Sequence, residues 1–136
     1  MKSSNVTACL SVLSACFVIS SPVIAEDNCS GYSVGVGPVR VFISDDHSSP
    51  YHLASGDCTT TGASTSTCTF KDKDGDQWTD AHEWSGSGIA GTWRTVSGTG
   101  KYAKAIGSSG WWKMAQSHTV NVWAVGGYCM LAAQQK

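Results

Sequence analysis

The sequence predicts an all-β fold: a single antiparallel eight-stranded β-barrel over residues 26–136, carrying two disulfides and preceded by a leader over residues 1–25. Three observations predict it. The apolar residues fall in short alternating runs, with turn signals roughly every 8–12 residues. No long segment has helical periodicity. The chain holds 15 glycines and many Ser and Thr, which suit turns and strands better than helix interiors.

The leader comes first. Lys2 gives a positive start, Val6 to Ile24 is apolar or small, and small residues end at Ala25 before acidic Glu26 and Asp27. This is the pattern of a secretory signal, too weakly flanked for a stable transmembrane anchor. It places the mature domain outside the cell or in a periplasm. A competing reading is "LSAC", Leu13–Cys16, which matches a lipoprotein cleavage site and would anchor the chain by a lipid on Cys16. The apolar run "FVISSPVIA" that follows argues for the cleaved leader instead.

The elements follow in order. "YSVGVGPVRVFI" (32–43) reads as two strands interrupted at Gly37-Pro38, and "SDDHSSP" as a loop. "YHLASGDC" (51–58) reads as a strand entering a Thr-rich loop. "STCTFKD" and "DQWTDAHEW" read as two strands around Gly75, with "SGSG" as the next turn. "IAGTWRTVSG", "GWWKMAQ" and "HTVNVWAVGGYC" are later strands, "GKYAKAIG" has room for one helical turn, and "AAQQK" is a frayed tail. About eight antiparallel strands close well into a barrel, whose interior takes packed side chains or one small ligand.

Loss of the leader removes one of nine basic residues and none of ten acidic ones. The mature chain is slightly acidic and has no basic stripe, which argues against nucleic acid as a partner. It keeps four cysteines, and an even count in an exported chain reads as disulfides. The preferred pairs are Cys58–Cys68, closing a short Thr/Ser/Gly loop, and Cys29–Cys129, tying the two ends together. Zinc has no support, because no C-x-x-C pair or histidine at ligand spacing occurs. No cofactor is implied.

"KDKDGDQWTDAHE" imitates a calcium loop, with Asp72, Asp74, Asp76, Asp80 and Glu83 at positions 1, 3, 5, 9 and 12. Position 6 is Gln77 rather than glycine, and neither flank suits a helix. A β-hairpin with its tip at Lys73–Asp76 is the preferred reading, and a loosely held calcium at Asp72, Asp74 and Asp76 is compatible with it. On the strand that follows, Trp78, Asp80, His82 and Trp84 share one face. The two indoles make that face the inner one. Buried between aromatics, Asp80 and His82 need partners: each other, Arg94, or a bound molecule whose protons they handle.

The chain has six tryptophans. Trp93 is expected beside Trp78 and Trp84, and these indoles either fill the core or stack on a flat apolar ligand. Trp111 and Trp112 are adjacent, so one faces out, as an oligomer contact or a ligand-side rim. His47, His52 and His118 show no metal spacing. No Gly-x-Ser-x-Gly elbow supports a hydrolase, and "GSGIAG" is a turn without a following helix.

"GTGKYAKAIG" (Gly98, Thr99, Gly100, Lys101, Tyr102, Ala105, Gly107) resembles the allene oxide cyclase and dirigent-like barrel superfamily. The surrounding strand-and-turn order is also similar to small secreted bacterial barrels of that type. The resemblance implies an eight-stranded antiparallel barrel with a cavity and carries over no active site. Three functions stand together: an exported barrel binding a small, partly apolar molecule at Trp78, Asp80, His82, Trp84 and Trp93; a cyclase or isomerase using Asp80 and His82; or a structural or interaction protein with a filled interior, free to form a homo-oligomer through an exposed Trp.

Overall fold

A computed structural model describes residues 27–133; the leader and Cys16 lie outside it. Eight strands run in sequence order, β1 (Cys29–Val36), β2 (Val39–Ser44), β3 (Ala54–Gly62), β4 (Thr65–Lys71), β5 (Gln77–Trp84), β6 (Ala90–Gly98), β7 (Ser109–Ser117) and β8 (Asn121–Tyr128). Each pairs antiparallel with its neighbour, and β1 pairs with β8 to close the barrel. Closure leaves no unpaired edge. A 3₁₀ turn spans Gly100–Ala105, and a helical turn, α1, spans Met130–Ala133, taking in the first two residues of the expected tail; residues 134–136 lie outside the described ones.

The turns explain the register. Gly37 at φ +58° turns β1 into β2, and Gly75 at φ +92° turns β4 into β5. That left-handed region is open to glycine at no steric cost. The expected hairpin at Lys73–Asp76 is therefore present. One boundary differs from expectation: Tyr51–Leu53 form a turn, and β3 begins only at Ala54. Tyr51 is released from the sheet and its ring enters the core.

The two ends of the barrel differ. One end carries the four short turns at Gly37-Pro38, Ala63-Ser64, Ser85–Ile89 and His118–Val120, none with an Asp, Glu, Lys or Arg. The other end carries the long loops, the 3₁₀ turn and α1, and it is plugged. Tyr102, fully buried, meets Trp78 at 4.6 Å between ring centroids, and Phe70 stacks on the same indole at 5.1 Å. Tyr51 meets Trp78 edge-on at 5.0 Å. Such pairs add to the burial of their area.

Both expected disulfides are formed. Cys29–Cys129 joins the start of β1 to the residue after β8, and Cys58–Cys68 links directly opposed residues of β3 and β4. No described helix is long and apolar enough to cross a membrane.

Candidate functional site: the barrel interior

The lumen is not filled. A cavity of about 430 Å³ runs inside the barrel and reaches the turn residues Gly37, Pro38 and Gly88. Its open end is therefore the end of the four short turns, and Val36, Val39 and Ile89 stand exposed around it. Its floor is the aromatic plug.

β5 sets a ladder of side chains from floor to mouth. It starts at the plugged end, so the period of two places Trp78 deepest, then Asp80, His82 and Trp84. All four line the cavity, and Trp93 joins them from β6. The face expected from the sequence is thus the inner one. The expected partners are not those observed. Asp80 accepts hydrogen bonds from Trp78 Nε1 at 3.0 Å and from Thr95 Oγ1 at 2.7 Å, not from His82 or Arg94. One carboxylate oxygen is taken by the indole two positions below and the other by the hydroxyl across the sheet, and neither reaches the imidazole. Arg94 lies between inward Trp93 and Thr95 and is exposed on the outside.

A β-bulge makes the Asp80 site. Thr79 pairs with Ser97, but Asp80 pairs with Thr95, which leaves Val96 as the extra residue of β6. The shift brings the Thr95 hydroxyl directly opposite the carboxylate. Burial pushes the Asp80 carboxyl up to about 6, against the opposing pull of the Thr95 and Trp78 donors. His82 is pushed down to about 4, by burial first and by the charge of Arg40 second. At neutral pH the pair is an anion below and a neutral imidazole above. His82 Nε2 is buried without a partner, as is Trp112 Nε1.

The sequence reading missed Arg40, Tyr51, Phe70, Thr95, Trp112 and Trp123 as wall residues. Arg40, on β2 near the mouth, holds its guanidinium 4.2 Å over the Trp123 ring and donates from Nη1 to the Gly37 and Val39 carbonyls. Burial lowers its pKa. The alternation Arg40–Phe42–Ser44 was the available signal, since buried Phe42 and Ser44 put Arg40 on the inner face. Tyr51 is pushed up to about 12, chiefly by burial. Its hydroxyl lies near Ser108 and the Leu131 backbone but makes a well-formed bond to neither.

The acidic turn sits at the plugged end, away from the mouth. Asp72 takes the backbone N–H groups of Asp74 and Asp76, the Lys101 ammonium and the Tyr102 hydroxyl, whose one proton is shared with the Pro50 carbonyl. Asp74 pairs with Lys73 and Lys101, and Asp76 accepts from the Lys101 backbone N–H. Among the described residues, no group of three or more His, Cys, Asp or Glu is placed to hold a metal ion. Trp111 is the outward indole, as adjacency required; it covers Gly126 and points Nε1 at Asp27.

Fold and site together define a closed eight-stranded antiparallel barrel with an aromatic-walled interior open at one end. No protein-family model, no curated protein and no solved structure matches the chain.

Proposed function

We propose that this is an exported barrel that binds a small, partly apolar molecule in its interior. The carrying observation is the cavity of about 430 Å³, walled by indoles and open at the end whose four turns carry no Asp, Glu, Lys or Arg. That volume lies in the range of small-molecule sites, which are concave, largely apolar and fitted with few polar groups. The resemblance of Gly98–Gly107 to the allene oxide cyclase and dirigent-like superfamily agrees with this reading. The leader and the two disulfides support export. The mass of the exported chain separates cleavage after Ala25 from lipidation at Cys16.

Titration with 2-naphthalenemethanol tests the binding. Saturable quenching of tryptophan emission is expected in the native protein; Met114 on β7 lines the cavity, and Met114→Trp, which narrows the lumen, should weaken it. Linear, unsaturable quenching that Met114→Trp leaves unchanged would refute the reading.

A second reading is favoured by Asp80 and His82 sharing one cavity with their pKa values pushed to about 6 and about 4. Groups so tuned suit proton transfer to and from a bound molecule. Its test is exchange of the methyl protons of bound 2-acetylnaphthalene into heavy water, followed by NMR. Exchange lost in Asp80→Asn supports an enzyme; exchange no faster than in buffer leaves a binding protein.

A further inference from the structure

The polar groups of the lumen are unbalanced. Arg40 is a permanent cation in the cavity wall, and among the described residues no carboxylate lies within 4.0 Å of it; the ion pairs found there join Lys73 and Lys101 to Asp72 and Asp74 at the plugged end. Its Nη1 is engaged by the Gly37 and Val39 carbonyls and its face by Trp123. Nε and Nη2 meet no protein acceptor among the described residues, though a guanidinium carries five N–H donors in a fixed fork. The one acid lining the cavity, Asp80, lies deeper and already accepts from Trp78 and Thr95.

Three further polar atoms in the wall lack partners: Trp112 Nε1, which can only donate, His82 Nε2 and, at the floor, the Tyr51 hydroxyl. Buried polar atoms are seldom left so. A half-buried cation without a counter-ion is costly in an apolar enclosure and is stabilised by an anion brought to it. The cavity offers that anion indole walls for its body, at Trp84, Trp93 and Trp112.

We propose that the molecule bound in the barrel is an aromatic or aliphatic carboxylate, with its anionic group held by Arg40 near the mouth and its apolar body directed inward between the tryptophans. This rests on the interior-binding reading. A cation of the same skeleton is repelled by Arg40. A neutral analogue leaves the guanidinium uncompensated.

The test uses one skeleton in three charge states: 2-naphthoate, 2-naphthalenemethanol and 2-naphthylmethylammonium. Each is titrated at neutral pH and low salt against the native protein, Arg40→Met and Arg40→Lys. The native protein is expected to hold the carboxylate about tenfold tighter than the alcohol, as a charge-assisted hydrogen bond gives, and the ammonium weakest. Arg40→Met should lose the preference and hold carboxylate and alcohol about equally, whatever its affinity for the alcohol; Arg40→Lys, without the fork, should keep part of it. Saturable and equal binding of carboxylate and alcohol by the native protein overturns the anion assignment and leaves interior binding standing. Failure of all three to saturate overturns interior binding itself, and the anion with it. If Arg40→Met does not fold, the native ladder and its weakening by salt decide the question alone.

Discussion

Trp93 on β6 stands directly opposite Gly110 on β7; a Cβ at Gly110 would press on the Gly126 carbonyl first, and would lie 2.7 Å from the Gly127 Cα and 2.8 Å from the indole. The same indole donates to the Gly126 carbonyl on β8 at 3.2 Å, so one side chain spans three strands. The arrangement recurs around the barrel. Phe70 opposes Gly56, Trp78 opposes Gly98, and Trp112 opposes Gly91; on the outside, Trp111 opposes Gly126. At Gly91, Gly110 and Gly126 the opposing indole lies against the bare backbone and restores contact area that glycine lacks, whereas the space at Gly98 is taken by the Tyr102 backbone and that at Gly56 by the Thr69 carbonyl. Gly110→Ala and Gly91→Ala should each lose about 2–3 kcal/mol in urea denaturation, the range for overpacking. Gly37→Ala, at φ +58° with nothing within 4 Å of the new carbon, should lose only about 1–2 kcal/mol of backbone strain. Equal losses at all three sites would show that cross-strand crowding, by the neighbouring carbonyl and the indole together, is not what requires glycine at 91 and 110.

The disulfides should differ in weight. Cys29–Cys129 closes a separation of 100 residues, and Cys58–Cys68 one of 10. Loop-closure entropy makes the longer bridge worth about 2 kcal/mol more. Cys29→Ser/Cys129→Ser is expected to melt well below Cys58→Ser/Cys68→Ser, which differential scanning calorimetry measures. The reverse order would mean that the β1–β8 seam holds without its covalent tie.

Asp80 and His82 should give opposite dependences on pH. The Asp80 carboxyl is raised from 3.8 to about 6, so the folded state holds its proton more tightly; that stability is present at low pH and is lost as pH rises through about 6. His82 is lowered from 6.5 to about 4, so its stability is present above about 6.5 and is lost as pH falls toward 4. Arg40 is the charged group that acts on the imidazole. Each effect amounts to about 3 kcal/mol, and over this window they oppose. Relative to the native protein, Asp80→Asn should gain stability with rising pH, and His82→Asn should lose it. Thr95 can turn its hydroxyl to accept from the new amide, so the first variant should fold. Denaturation midpoints at stepped pH test this; native and Asp80→Asn curves that run parallel would contradict it.

Lys101 clasps the acidic turn to the 3₁₀ turn through Asp72 and Asp74. Burial alone would raise the Asp72 carboxyl, but Lys101, the Asp74 backbone N–H and the Tyr102 hydroxyl hold it below the usual range. A depressed carboxylate stabilises above its unfolded pKa and ceases to as pH falls through the folded one. Lys101→Met should therefore melt a few degrees lower at neutral pH, with the difference shrinking in acid and in high salt. A difference that persists in acid would assign the loss to packing of the lysine stem on Tyr102.

Local chemistry carried much of the fold. The period of two fixed the inner face of β5 and the outward indole of Trp111. Glycine at positive φ marked the turns at Gly37 and Gly75. The helix-breaking flanks of the calcium-like spacing marked the hairpin at Lys73–Asp76. Asp80 was legible as a buried acid, but its partner was not. Pairing with Thr95 depends on a one-residue slip at Val96, and β-branched valine in a strand gives no sign of a bulge. Arg40 was passed over because a short strand after Gly-Pro gives too few alternations to settle its inner face without buried neighbours.

The sequence by itself determined the strands, the turns and the side chains of β5 that turn inward, because each depends on residues close together in the chain. The tertiary structure decided which end of the barrel is plugged, that about 430 Å³ stays open, and that Arg40, His82 and Trp112 share it. Those outcomes depend on cross-strand register and on the volume left when eight strands close, and both are sums over contacts distant in sequence.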